Sequence, residues 1–199
     1  MSAYLTDREQ LNAKVDIVGI VSALAPAFGT VAKADVHLFA FLSAATSKIN
    51  RTTRLEWGYS FVGTKNGAPF ADALEAGLRE MTLSGELMKD VDDFTAGPAF
   101  YRAAGVFLTS ESFASRLWMV QDVCSLVAYR SLPRISREVS KEPLLARSAR
   151  LERSSVIDEA ALEAQVLEAM AQIANVLPDQ YPPSLPVARW LEAWGSETS

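Results

Sequence analysis

Apolar residues recur at helical spacing from the first turns of the chain. Thr6 and Glu9 stand three apart, the spacing of a capping box, and open a first helix. Leu11, Val15 and Val18 mark its face, Ile17, Ile20, Val21 and Leu24 widen it, and Pro26 with Gly29 end it after about Leu24. A second helix is predicted from about Lys33 to Ile49, with Leu38, Leu42, Ala45 and Ile49 on one stripe. Polar residues 50–56 precede an aromatic, β-prone run, Trp57–Val62. The turn residues of Gly63–Pro69 follow, Pro69 being suited to a helix's first turn. A third helix is expected from about Phe70 to Ser84, stopped by Gly85.

Glu86–Val91 and Phe100–Leu108 are predicted to be two strands, joined by a long tip at Asp92–Pro98. Ser110 or Ser112 then caps a fourth helix to about Arg130, whose seam is Phe113, Leu117, Val120, Cys124 and Val127. Pro133 and Pro143 cut the next stretch into short pieces. Asp158 opens a fifth helix to about Leu177, with Leu162, Val166, Met170, Ile173 and Leu177 on one face. Pro178, Pro182, Pro183 and Pro186 form a stiff connector to a short last helix, Val187–Trp194. The pattern divides as residues 1–110, a helical extension over 111–177, and the connector with its helix over 178–199.

Composition sharpens this outline. Apolar residues make up 49% of the 199, enough to supply a packed core rather than a disordered chain. No uninterrupted apolar stretch is long enough to suggest a membrane span, and the first residues lack a signal-like pattern, so a cytoplasmic location is expected. A single cysteine, Cys124, and a single histidine, His37, leave little room for a zinc site or a Cys–His or Ser–His catalytic pair. The expectation is a protein without cofactor, metal, small-molecule substrate or enzymatic activity.

Charge is segregated along the chain. The net of −5 combines a basic segment, residues 130–153, with an acidic stretch, residues 154–199. The segment's cations are Arg130, Arg134, Arg137, Lys141, Arg147, Arg150 and Arg153, against three carboxylates. Such a pattern suggests charge-matched docking, within the chain or onto a partner. These seven residues are the candidate contacts, to an acidic protein surface or to phosphate. Trp190 and Trp194, four apart on the last helix, are candidate partner anchors, with self-packing as the alternative.

The order helix–helix–(strand)–helix–strand–strand is that of a winged helix, so the expected fold is mainly α with a small antiparallel β wing and a C-terminal helical extension. Trp57–Gly63 followed by Ala68–Leu74 looks like an aromatic strand, a glycine turn and an interface helix. Leu78 with Ser84–Leu87 resembles the passage into a wing, and Tyr101 with Val106–Thr109 its returning strand. Over residues 10–110 the chain is similar to winged-helix-like proteins related to the SocA antitoxins. It is also similar to the middle components of bacterial three-component ABC systems, including Lamassu-type phage defence. The latter resemblance implies a non-catalytic accessory subunit beside an SMC-like ATPase and an effector, often a nuclease, with DNA reached through the complex. A winged-helix DNA-binding regulator is the alternative, and the SocA-like resemblance also permits an antitoxin or proteolytic adaptor. The third helix holds Asp72, Glu75 and Glu80 against Arg79, which weighs against autonomous DNA reading.

Other motifs read as ordinary structure. The Gly63–Gly67 loop lacks the order of a phosphate-binding loop and fits a plain turn. Asp90, Asp92 and Asp93 offer oxygen ligands for a cation, with a solvated wing tip as the simpler reading. His37 and Cys124 are expected to pack in the interior.

Overall fold

The capping box at the start of the first helix forms. The Thr6 hydroxyl accepts the Glu9 N–H at 3.2 Å and the Glu9 carboxylate accepts the Thr6 N–H at 2.7 Å. The computed structural model describes residues 5–49, 56–173, 182 and 184–196, and within them the protein is mainly helical with two small antiparallel sheets. Helix α1 spans Asp7–Phe28, four residues beyond the expected stop. Pro26 sits inside its last turn, and Gly29, at φ 79°, closes it.

Helix α1 is buried around most of its circumference, as expected of a helix apolar on several sides. It is long and apolar enough to cross a membrane, but 56% of its apolar window is buried inside this protein. Its neighbours are α2 (Lys33–Ile49), α3 (Asp72–Leu83) and α5 (Glu111–Cys124). Two glycines allow close approach: a Cβ on Gly19 would stand 2.9 Å from the Val120 side chain on α5, and one on Gly77 of α3 would stand 2.8 Å from Ile17. The core continues without a break from Ala13 to Leu191, so the expected boundary at 110 separates no independent cores.

The first sheet joins β1 (Val31–Ala32), β4 (Leu87–Asp90) and β5 (Asp93–Ala96) in the order β1-β5-β4, all antiparallel. The hairpin is tighter than expected, because Asp90 pairs with Asp93 and only Val91 and Asp92 lie between them. The returning strand therefore comes from residues assigned to the tip. Phe100–Leu108, expected as that strand, is instead helix α4. Phe100, Ala104 and Phe107 face inward at spacings of four and three, a helical period that the run of apolar residues had obscured.

The second sheet, β3-β2-β6, joins β2 (Val62–Gly63), β3 (Pro69–Phe70) and β6 (Ser155–Val156). The aromatic run before it was expected as a longer strand. Trp57, Tyr59 and Phe61 are indeed buried and alternate with exposed Gly58 and Ser60. They face helices, however, and the chain joins a ladder only at Val62, past Gly58 at φ 85°. Pro69 likewise stands in β3, opposite Gly63, rather than in a helix.

After α5 comes a 3-10 turn, Ser125–Ala128, then α6 (Leu132–Val139), α7 (Pro143–Arg150), α8 (Glu159–Ile173) and α9 (Ser184–Ser196). Pro133 and Pro143 start α6 and α7, where a missing N–H costs nothing. Asp158 caps α8 by accepting the Ala161 N–H at 2.7 Å. The connector is shorter than expected, since Pro186 lies within α9; Leu177, Pro178 and Pro183 fall outside the described residues.

Candidate functional site

The seven cations of the basic segment separate into two groups. Arg130 is spent on the fold. Its side chain, 7% exposed, donates to the buried Glu138 carboxylate at 2.6 Å, to Glu192 at 2.8 Å and to the Ala188 carbonyl at 3.2 Å. It thereby ties the residues just after the 3-10 turn to α6 and to α9. Arg134 completes this group by donating to the other Glu138 oxygen at 2.8 Å, an i,i+4 pair from an exposed position. Part of the charge matching visible in the sequence is thus satisfied within the chain, and Arg130 is not available to a partner.

Arg137, Arg147, Arg150 and Arg153 are different. All four are exposed, and among the described residues none has a carboxylate within ion-pair distance. Lys141 is half-buried between α6 and α7. Arg147 and Arg150 lie in the last turn of α7, where cations are favoured by the helix dipole. The chain then reverses through Glu152, at φ 49°, so that Arg153 leads directly into β6. Leu151 and Val156, both exposed, stand among these arginines.

The turn after β2 joins this face, a juxtaposition the sequence did not reveal. A Cβ on Gly67 would touch Ala149 of α7 at 3.5 Å and Ser140, the cap of α6, at 3.7 Å. Its exposed neighbours Lys65 and Asn66 are therefore carried on α6 and α7. Gly63 packs still closer, since a Cβ there would stand 2.5 Å from the Ser148 hydroxyl and 3.1 Å from its Cβ. Ser148 in turn hydrogen-bonds Ser155, locking α7 onto β2 and β6. Gly63→Ala is expected to cost about 1–3 kcal/mol in urea unfolding, and Ser148→Ala beside it should recover part of the loss. An unchanged midpoint for Gly63→Ala would contradict this packing.

Glu142 begins α7 from a buried position and accepts the Leu145 N–H at 2.8 Å. Burial raises its pKa, with its backbone hydrogen bonds acting the other way. The platform beneath the arginines is therefore fixed at both ends, by a buried cap at one and by the serine contacts at the other.

Trp190 takes the self-packing alternative rather than the role of an anchor. Trp190 is 2% exposed and lies in the core, on the helix that α6, α2, α5 and α8 pack against. Its side chain is not free to meet a partner. Trp194 lies within α9, and its side chain falls outside the described residues.

His37 is buried against Phe70, ring centroids 4.7 Å apart, and its Nδ1 accepts the Ala71 N–H at 3.2 Å. Burial lowers its pKa to about 4, so it is neutral at pH 7, and its Nε2 stands 3.8 Å from Glu75. Cys124 is buried, which pushes its thiol pKa well up. Asp90, Asp92 and Asp93 are exposed at the hairpin tip, with Lys33 3.7 Å from Asp92. No group of three or more metal-ligating side chains gathers among the described residues.

Sequence reasoning missed the most polar part of the interior. Asp16 of α1 is fully buried and receives a bidentate grip from Arg116 of α5, at 2.6 and 2.7 Å. Tyr59 donates to the same carboxylate at 2.5 Å. Arg116 also donates to the Trp57 carbonyl at 2.8 Å and lies 3.9 Å from the centre of that ring. Burial pushes the Asp16 pKa up while Arg116 pulls it back. One signal was present: Asp16 interrupts the apolar run between Val15 and Ile17, on a helix with no polar side to spare. No family model, curated protein or solved structure matches this chain.

Proposed function

We propose that this protein is a non-catalytic accessory subunit of a multi-protein bacterial complex, docking through the basic face of α6, α7 and the turn after β2. One observation carries this reading: Arg137, Arg147, Arg150 and Arg153 are exposed with no ion pair among the described residues, while Arg130 and Arg134 are neutralised within the chain. Exposed arginines interspersed with apolar Leu151 and Val156 suit an acidic protein surface, since arginine is enriched at interfaces and complementary charge steers association. The resemblance over residues 10–110 supplies the class of partner, an SMC-like ATPase with an effector, probed through anti-phage defence.

The element order supports the winged-helix reading behind that resemblance. A strand between α1 and α2 pairs with the second strand of a hairpin that follows α3, in the order β1-β5-β4. The same order favours a second reading, a DNA-binding regulator, but charge opposes it. Helix α3 exposes Asp72 and Glu80 beside Arg79, and the wing tip carries three aspartates. Phosphate would be repelled from both elements that a winged helix ordinarily lays on DNA.

The test is co-purification with the products of neighbouring genes. Retention that weakens with salt is expected, and a chain that migrates alone at every salt concentration defeats the proposal. Arg147→Glu, Arg150→Glu and Arg153→Glu combined should weaken retention about tenfold or more. The melting temperature should fall only by the few degrees that the lost dipole contacts of Arg147 and Arg150 cost, because these exposed side chains support no ion pair in the fold.

A further inference from the structure

Beside the arginine row, the first turns of α2, the turn after β2 and helix α6 enclose a cleft of about 390 Å³. Its size falls within the range that holds a small ligand or an anchoring side chain. Leu38 and Pro69 give it apolar lining, and Ser136 and Arg137 of α6 face Ala34 and Asp35 of α2 across it. Asp35 and Arg137 share the cleft without forming an ion pair, so each remains open to an outside group. Asn66 and Gly67 also line it, and Gly67 rests against α7. Through that turn the cleft adjoins α7, the helix that bears Arg147 and Arg150.

We infer that this cleft receives an extended, acidic segment of the partner protein, with an apolar side chain seated inside and flanking carboxylates on Arg137 and the α7 arginines. The inference rests on the proposed function and names the partner's chemistry. Charge selects the occupant: five exposed cations, counting Lys65, border the cleft and α7. Asp35 suits a backbone N–H of an extended segment, which has donors to spare. A duplex nucleic acid would match the cations but has nothing apolar to place against Leu38 and Pro69.

Two labelled probes separate these ideas: a short peptide alternating glutamate and leucine, and one of glutamate alone. Fluorescence anisotropy should show the first binding about tenfold more tightly, the value of burying one leucine-sized side chain. Ser136→Trp and Ala34→Trp, at exposed positions on opposite walls, should fill the cleft and erase that difference while the melting temperature holds. They should also weaken retention by the natural partner. Equal binding of the two peptides, tighter binding of a short duplex DNA, or indifference to both tryptophans would overturn the inference. If the α7 charge reversal abolishes partner retention while the tryptophans leave it intact, the cleft is not the seat and the proposed function stands. If the reversal also leaves retention intact, the proposed function falls with it.

Discussion

Arg116→Ala is expected to destabilise the protein by about 3–5 kcal/mol, the usual cost of stranding one member of a buried ion pair. The loss follows from what remains. Asp16 would be left fully buried with a single donor, Tyr59, and the Trp57 carbonyl would keep only the Asn12 amide, at 3.2 Å. The guanidinium's stacking on Trp57 would go as well. Chemical unfolding should show an earlier midpoint, with near-ultraviolet dichroism reporting the freed Trp57. The paired variant Asp16→Leu with Arg116→Met should lose much less than the single change, because no charge is then stranded. A single variant that unfolds at the wild-type midpoint would mean that this network contributes nothing to holding α1, α5 and the aromatic run together.

Trp190→Ala should cost a similar amount, about 3–5 kcal/mol, by opening a cavity among α2, α5, α6 and α9. The consequence reaches the candidate site. Helix α9 also holds Arg130 through Glu192 and the Ala188 carbonyl, and Arg130 steadies α6 through Glu138. Loss of the indole should therefore loosen α6 and weaken docking only through stability, with affinity restored at temperatures where the variant is fully folded. A variant of unchanged stability that fails to bind would instead make Trp190 a contact.

Much of the helical skeleton was legible in the sequence. The bounds of α2, and the capping box of α1, followed from periodicity and end signals alone. The errors have a common physical origin. Phe100–Leu108 is apolar on enough sides to fit either period, and the strand-like residues before it favour the hairpin reading. Trp57–Phe61 alternates as a strand does, but its inward residues meet Asp16 and Arg116 rather than a second sheet. The basic segment was visible as composition, whereas its division was not. Whether an arginine is neutralised depends on partners as distant as Glu192, sixty-two residues beyond Arg130. The contribution of Lys65 and Asn66 was hidden for the same reason, since it depends on Gly67 resting against α6 and α7.

The Asp16–Arg116 pair spans one hundred residues of chain. At synthesis rates of about 5–20 residues per second, a newborn α1 waits roughly 5–20 s for the guanidinium that will neutralise its aspartate. During that interval α1, a helix long and apolar enough to cross a membrane, has no α5 to cover it. Nascent chains of this protein should therefore be clients of ribosome-bound chaperones, and their yield in cells should fall more steeply than that of the refolded product when such helpers are removed.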